Sequence, residues 1–313
     1  PTTIPSRPGA EIAVPMRHYR IDAAVFDAPP LAPGLYVVST PIGHLGDVTL
    51  RALATLAAAD LIAAEDTRVT RVLTGRYGIE TPLTAYHEHN AEAARPKLLA
   101  ALAEGKAVAL VCDAGTPLVS DPGYRLVEAV LEAGHDVFPI PGASALLAGL
   151  VAAALPTDAF LFAGFLPTKS TARRKRLAEL APVPATLVFY ESPHRTAEAL
   201  ADMEAVLGGE RKAAVARELT KTFETVRRDA LANLSARFGA EPTPKGEIVT
   251  LVGPPVAAER EEEDVDALLR HLLLSGSVRN AAAEAAARTG LPRRDLYRRA
   301  LALRGEDGDE NDA

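Results

Sequence analysis

Short unbroken apolar runs alternate along the first half of this chain with stretches whose apolar positions recur at helical spacing. The runs at 35–38, 60–64, 82–86, 107–112 and 136–140 predict strands, and their lack of alternation predicts burial on both faces, as in a parallel sheet. Between them, helices are predicted over 50–59, from Asp66 or Thr67 through Leu73, over 91–103, over 124–133, and from Ser144 to about 154. This alternation predicts one α/β domain over 34–154, with Leu155-Pro-Thr-Asp158 as a hinge. A second α/β domain is predicted over 155–256, with strands at 159–163, 185–190, 212–216, 223–228 and 248–252. Its helices are a basic one at 171–180, one opening near Pro193, and one reaching Phe238. Beyond an acidic linker, helices at 265–274, 278–287 and 293–304, with the turn Thr289-Gly-Leu-Pro292, give a helix-turn-helix layout over 265–305. Residues 1–33 are Pro-rich without a sustained period and are expected to be a mobile leader; 306–313 is an acidic tail.

The polar punctuation is informative. Asp113-Ala-Gly-Thr-Pro-Leu-Val-Ser-Asp-Pro-Gly123 joins the central apolar run to a helix. Turns between strand and helix are usually short, and a long Gly/Pro/Asp turn at a strand's carboxyl end marks a ligand site in an open α/β sheet. Other strand ends also carry charge: Glu65-Asp66-Thr67-Arg68, His87-Glu88-His89-Asn90, Glu191-Ser-Pro-His194-Arg195 and Arg217-Glu-Leu-Thr-Lys221. Two such domains with polar edges facing each other enclose a cleft for a small ligand. Asp66 reads equally as a helix N-cap and as a cleft carboxylate. Pro141-Gly142 opens a helix with bare amides, which suits a carboxylate. Gly43 and Gly46 do not form a dinucleotide fingerprint, and no phosphate-loop motif occurs, so a nucleotide phosphate site is unsupported. His87 and His89 lack a third ligand nearby, so no metal is expected.

Composition narrows the class. Apolar residues make up 48% and charged residues 24% of the 313 residues, as in ordinary globular proteins. A single cysteine, Cys112, ends an apolar run; this predicts a buried thiol and a reducing, cytoplasmic setting. No apolar stretch is long enough to predict a membrane span, and no secretion signal is evident. The net charge of −7 hides local basic clusters. One is Lys169, Arg173, Arg174, Lys175 and Arg176; the other runs from Arg270 to Arg304 between acidic stretches at 259–264 and 306–312. A last helix rich in arginine and poor in acids favours nucleic-acid contact over a solvated bundle.

The motifs Ser39-Thr-Pro-Ile-Gly43, Ala64-Glu-Asp-Thr-Arg68, the 113–123 turn, Pro141-Gly-Ala-Ser144, Phe189-Tyr-Glu-Ser-Pro-His-Arg195, Arg217-Glu-Leu-Thr-Lys221 and Lys245-Gly-Glu247 follow one another in this order. Together, over about 34–305, they resemble the tetrapyrrole methylase superfamily, in its branch that methylates small-subunit ribosomal RNA. The resemblance implies a fold of two α/β domains around a cofactor cleft plus a helical unit, usually as a homodimer. It implies methyl transfer from S-adenosylmethionine to the ribose 2′-hydroxyl of a decoding-centre cytidine. It places the cofactor at Pro41, Gly43, Gly115, Thr116, Pro117, Leu118, Val119, Ser120, Asp121, Ala143, Ser144, Leu166, Tyr190, Glu191, Ala216, Arg217, Gly246, Glu247 and Ile248. A neutral ribose hydroxyl is a poor nucleophile and gains from a nearby base. Candidates are Glu65, Asp66, His87, Glu88, Glu191 and His194, with the Glu65–Asp66 pair preferred. Arg68, Lys169, Arg174, Arg176, Arg195, Arg294, Arg298 and Arg299 are candidate RNA contacts. Two other readings stand beside this one: methylation of a tetrapyrrole carbon, and a non-catalytic RNA-binding assembly protein.

Overall fold

The computed structural model describes residues 17–120, 123–255 and 265–309; the start of the expected leader, the acidic linker and the end of the acidic tail lie outside them. The chain forms two compact units that divide after Pro254.

The first unit opens with a hairpin of β1 (Arg17–Ile21) and β2 (Ala24–Ala28), inside the stretch expected to be a mobile leader. Most of its residues face water, so it has no apolar run to betray it; Tyr19 and Ala28 alone are buried, packing among the residues of the first core. There follow β3 (Gly34–Val38), α1 (Leu50–Ala58), β4 (Leu61–Ala64), α2 (Thr67–Arg76), β5 (Leu83–Ala85), α3 (Ala91–Ala103), β6 (Ala107–Val111), α4 (Tyr124–Glu132), β7 (Val137–Ile140) and α5 (Ala145–Ala152). Strands β3 to β7 form a wholly parallel sheet of order β5-β4-β6-β3-β7. Strand β6 is buried at every residue, as its unbroken apolar run requires at the centre of a covered sheet. Leu53 and Leu56 of α1 and Leu73 of α2 fill one face of the sheet. Leu98 and Leu102 of α3 with Leu126 and Val130 of α4 fill the other. The neighbouring strands β3 and β6 therefore send their chains to opposite faces, and the crevice between their carboxyl ends is the switch point where α/β sheets bind ligands.

The unit continues with β8 (Phe160–Phe165), α6 (Ser170–Leu180), β9 (Thr186–Glu191), α7 (Thr196–Leu207), β10 (Lys212–Arg217), β11 (Thr225–Ala230), α8 (Leu231–Ala240) and β12 (Ile248–Val252). Their strands form a second sheet, β11-β10-β12-β9-β8, antiparallel except for β8 with β9. Ile248 pairs with both Glu191 and Arg217, so the carboxyl ends of β9 and β10 and the start of β12 share one edge. Arg173 of α6 is almost wholly buried and is held by Asp202 at 2.7 Å, with Ser170 donating to the same carboxylate.

Helix α5 follows the first sheet in sequence but packs on the second. Leu150 and Ala153 join Val188, Val249 and Leu251 in one core. A Cβ on Gly149 would lie 3.1 Å from the Val249 side chain, so glycine lets this helix approach β12 closely.

The second unit is three helices, α9 (Val265–Ser275), α10 (Val278–Thr289) and α11 (Arg293–Asp309). Leu269, Leu272, Ala281, Ala285, Leu296 and Ala300 form its own core. The Ser277 side chain caps α10, and Gly290 ends it at φ 69°, the left-handed conformation glycine adopts without a Cβ clash.

Candidate active site

The loops after β3, β6 and β7 are laced together at the switch point. Thr40 and Gly115 exchange backbone hydrogen bonds of 2.8 and 3.0 Å. The hydroxyls of Ser39 and Thr116 lie 2.9 Å apart, and Thr116 also donates to the Ala143 carbonyl at 3.3 Å. The 113–123 turn is strained: Leu118 and Ser120 sit at φ 74° and 65°, where a Cβ is disfavoured, alongside Gly115 and Gly123. Non-glycine residues in such conformations cluster at functional sites.

Across from these loops stands the edge of the second sheet. The Tyr190 hydroxyl accepts the Leu146 amide at 3.2 Å, joining β9 to the first turn of α5. Gly246, at φ 91°, lies where a Cβ would come within 2.2 Å of the Glu218 carboxylate. That carboxylate accepts from Glu247 N and from Lys221 Nζ, at 3.0 and 2.9 Å, which fixes the entry to β12.

Between the two edges lies a cleft of about 500 Å³, within the range of small-ligand sites. Of the residues expected at the cofactor, Gly115, Thr116, Val119, Ser120, Ser144, Tyr190, Glu191, Gly246, Glu247 and Ile248 line it. Ile42, Asp113, Ala145, Phe165, Ser192 and Val249 line it as well. Their positions beside the quoted motifs were the available signal for these; Phe165 has none, since a bulge in β8 places it there. Pro41 and Gly43 line an adjoining hollow instead, where the Lys221 side chain crowds Gly43. Pro117, Leu118 and Ala143 support the loops without lining the cleft. Leu166 and Ala216 are core residues. Arg217 is not in the cleft: its guanidinium holds the carbonyls of Lys245 and Phe223 at 3.0 and 3.1 Å, tying two loops together. Asp121 lies outside the described residues.

The carboxylates differ sharply in setting. Asp66 is the N-cap of α2: Oδ1 accepts the Arg68 amide at 2.8 Å, and the Arg68 guanidinium grips both oxygens. That hydrogen-bonded arginine lowers its pKa to about 2. Glu65 lines the cleft, and its pKa is raised, chiefly by burial. The Asp113 amide donates to Glu65 at 3.3 Å, while Asp113 accepts the Asp66 amide at 2.9 Å and is itself raised by burial. Glu191 is fully buried at the side chain; Arg195 donates to its Oε1 at 2.6 Å, and its Oε2 has no partner. Glu88 lines a second hollow that meets the cleft at Glu65. His194 is exposed and not part of the cleft wall. Among the described residues, no group of three His, Cys, Asp or Glu side chains is placed to hold a metal.

The expected RNA contacts are scattered. Lys169 is exposed, Arg174 pairs with Asp202 at 3.1 Å, and Arg176 pairs with Glu179 at 3.0 Å. Arg195 is turned inward onto Glu191, Ser192 and the Leu166 carbonyl, so it braces the β9 end. In the helical unit Arg294 is exposed, Arg298 pairs with Asp295, and Arg299 grips Asp266.

This fold and cleft define a class. A family model described as tetrapyrrole (corrin/porphyrin) methylases matches residues 34–235, and one described as the RsmI C-terminal HTH domain matches 259–304. Among solved structures, uroporphyrin-III-C-methyltransferase from Thermus thermophilus superposes with a TM-score of 0.52 at 24% identity, covering 71% of this chain and 94% of that one. A second structure of that enzyme, in complex with S-adenyl homocysteine, gives 0.52 at 22% identity over 70% and 97% of the two chains. Likeness is far greater to proteins named ribosomal RNA small subunit methyltransferase I. That of Mesorhizobium japonicum is 58% identical over 90% of this chain and 96% of its own. That of Pseudomonas aeruginosa is 48% identical over 87% and 98%. The chain belongs to the tetrapyrrole methylase family, and within it to the ribosomal RNA small subunit methyltransferase I group.

Proposed function

We propose that this chain binds S-adenosylmethionine in the cleft and methylates the ribose 2′-hydroxyl of a decoding-centre cytidine in small-subunit ribosomal RNA. The cleft fits the cofactor chemically. The partnerless, buried Oε2 of Glu191 suits an ammonium group. The walls at Ile42, Val119, Phe165, Ile248 and Val249 suit a purine, and Gly115 and Gly246 let backbone approach closely. When bound, S-adenosylmethionine supplies an electrophilic methyl group on a positively charged sulfur.

The observation that carries the reading is Glu65. It stands where the cleft meets a second, polar hollow, and burial raises its pKa. A carboxylate there would accept the proton of a ribose hydroxyl while the bound cofactor would supply the methyl group to its oxygen. Positioning of the two reactants accounts for much of the remaining acceleration. Asp66, already tied to Arg68, serves the site by fixing the start of α2. Leu147 and Val151, 50% and 78% exposed on α5, support association into a homodimer. A cytoplasmic setting agrees with the substrate.

The test is transfer of radiolabel from S-adenosylmethionine to purified small ribosomal subunits, with ribose-methylation mapping of the product. The expected result is label on one decoding-region cytidine. Cofactor binding without labelled RNA would overturn the substrate, and label on a base rather than a ribose would overturn the chemistry.

A further inference from the structure

The second hollow, about 820 Å³, shares Glu65 and Ser120 with the cleft. Its other walls come from the loop after β5 and from the first turns of α3 and α4. Arg95, in the second turn of α3, lines it. The Nε and Nη2 atoms of Arg95 are buried and have no hydrogen-bond partner. Glu92 stands three residues earlier on the same helix, yet neither of these two buried nitrogens bonds to it. Buried guanidinium donors left open are costly, and a bound anion at this hollow would satisfy them.

Both helices present positive ends to the same space. The Asn90 side chain at the start of α3 accepts from His87 N and donates to the Ala85 carbonyl, at 2.8 and 3.0 Å, and does not cap its helix. The N-cap of α4 is Gly123, which has no side chain to cap with. Ala91, Glu92, Tyr124 and Arg125, from the two first turns, line the hollow. Uncapped N-terminal amides and their dipoles favour an anion. The acids on the walls, Glu65, Glu88 and Glu92, match the hydroxyl and amino groups of a nucleoside rather than its phosphate.

We propose that this hollow receives the nucleotide to be methylated, with a backbone phosphate on Arg95 between the two helix starts and the ribose toward Glu65. The assignment rests on the methyl-transfer reading of the cleft and adds to it a phosphate anchor. Arg95 is a positioning residue: it holds the RNA and takes no part in proton or methyl transfer.

The test compares the full-length wild type with Arg95→Gln and Arg95→Lys. Binding of a decoding-region RNA oligonucleotide is followed by fluorescence anisotropy across a salt series. Cofactor affinity is measured by calorimetry, and methyl transfer at saturating RNA by radiolabel. For Arg95→Gln, RNA affinity is expected to fall about 10- to 100-fold. The salt slope should be shallower by about 0.7, the share of one single-strand phosphate. Cofactor affinity and the saturated rate should stay within about threefold of wild type, as expected of a group that binds without reacting. Arg95→Lys should recover the slope. Wild-type affinity and slope in Arg95→Gln would overturn the anchor while leaving the methyl-transfer reading intact. A wild type that shows the Arg95-dependent slope but transfers no methyl would overturn that reading and leave the anchor standing. Should Arg95→Gln not fold, Arg125→Gln at the same hollow is expected to weaken RNA binding and flatten the slope, and its failure to do so would overturn the proposal.

Discussion

At the scale of single residues, the strand-end carboxylates divide by what touches them. Asp66 and Glu65 are adjacent, but one is gripped by Arg68 and the other faces the cleft. The folded pKa of Asp66, about 2, lies below its ordinary 3.8. Its pairing therefore contributes stability above the ordinary value, and that contribution disappears as pH falls from about 4 toward 2. Thermal melts of wild type and Asp66→Asn across this range should converge at the acid end and separate above it. A constant separation at all pH values would contradict the linkage. The residues that sequence reasoning placed in the cleft were legible where backbone and motif coincide, as at Gly115, Tyr190, Glu191 and Gly246. Arg217, expected at the cofactor, and Arg195, expected at the RNA, lie elsewhere, because spacing fixes where a strand ends but not which way a long side chain turns. Both turn to brace backbone carbonyls.

At the scale of elements, apolar runs and caps carried most of the information. The run at 248–252 is β12 residue for residue, and the helix expected at 91–103 forms through Pro96. The hairpin β1–β2 was illegible because it is mostly exposed and polar or alternating, so nothing in it demands a core. The membership of α5 was illegible for another reason. Apolar nearly all round, it fits either sheet, and only close approach at Gly149 decides in favour of the second. The hydrogen bond from Leu146 N to the Tyr190 hydroxyl secures that junction beside the cleft. Tyr190→Phe should lower stability by about 1 kcal/mol and weaken S-adenosylmethionine binding several-fold, read by denaturant unfolding and calorimetry. Unchanged cofactor affinity would show that the junction does not shape the cleft.

At the scale of the whole molecule, a net charge of −7 coexists with the proposed RNA substrate because the arginines are local. Arg294 and Arg298 sit exposed on α11 of the helical unit. The double variant Arg294→Glu, Arg298→Glu should weaken binding to small ribosomal subunits at least tenfold and flatten its salt dependence by about 1 to 2 in slope, with cofactor affinity unchanged. An unaltered slope would remove this unit from the RNA interface. The second hollow was invisible in the sequence because its walls come from three separate stretches of chain, at Glu65, 86–95 and around the start of α4, and only the fold brings Glu65, Arg95 and Arg125 into one space.

The central claim is that Glu65, raised by burial at the meeting of two cavities, takes the proton of the attacking hydroxyl. The most direct measurement is the single-turnover rate of methyl transfer against pH for wild type and Glu65→Gln, both saturated with cofactor and small subunits. The wild-type rate should rise with pH through a pKa above the ordinary 4.5 for glutamate and then level off, since only the ionised carboxylate accepts a proton. Glu65→Gln should lose that acid limb and run about 10²- to 10⁴-fold slower, with cofactor affinity retained. A variant that keeps the wild-type rate and profile would contradict the account.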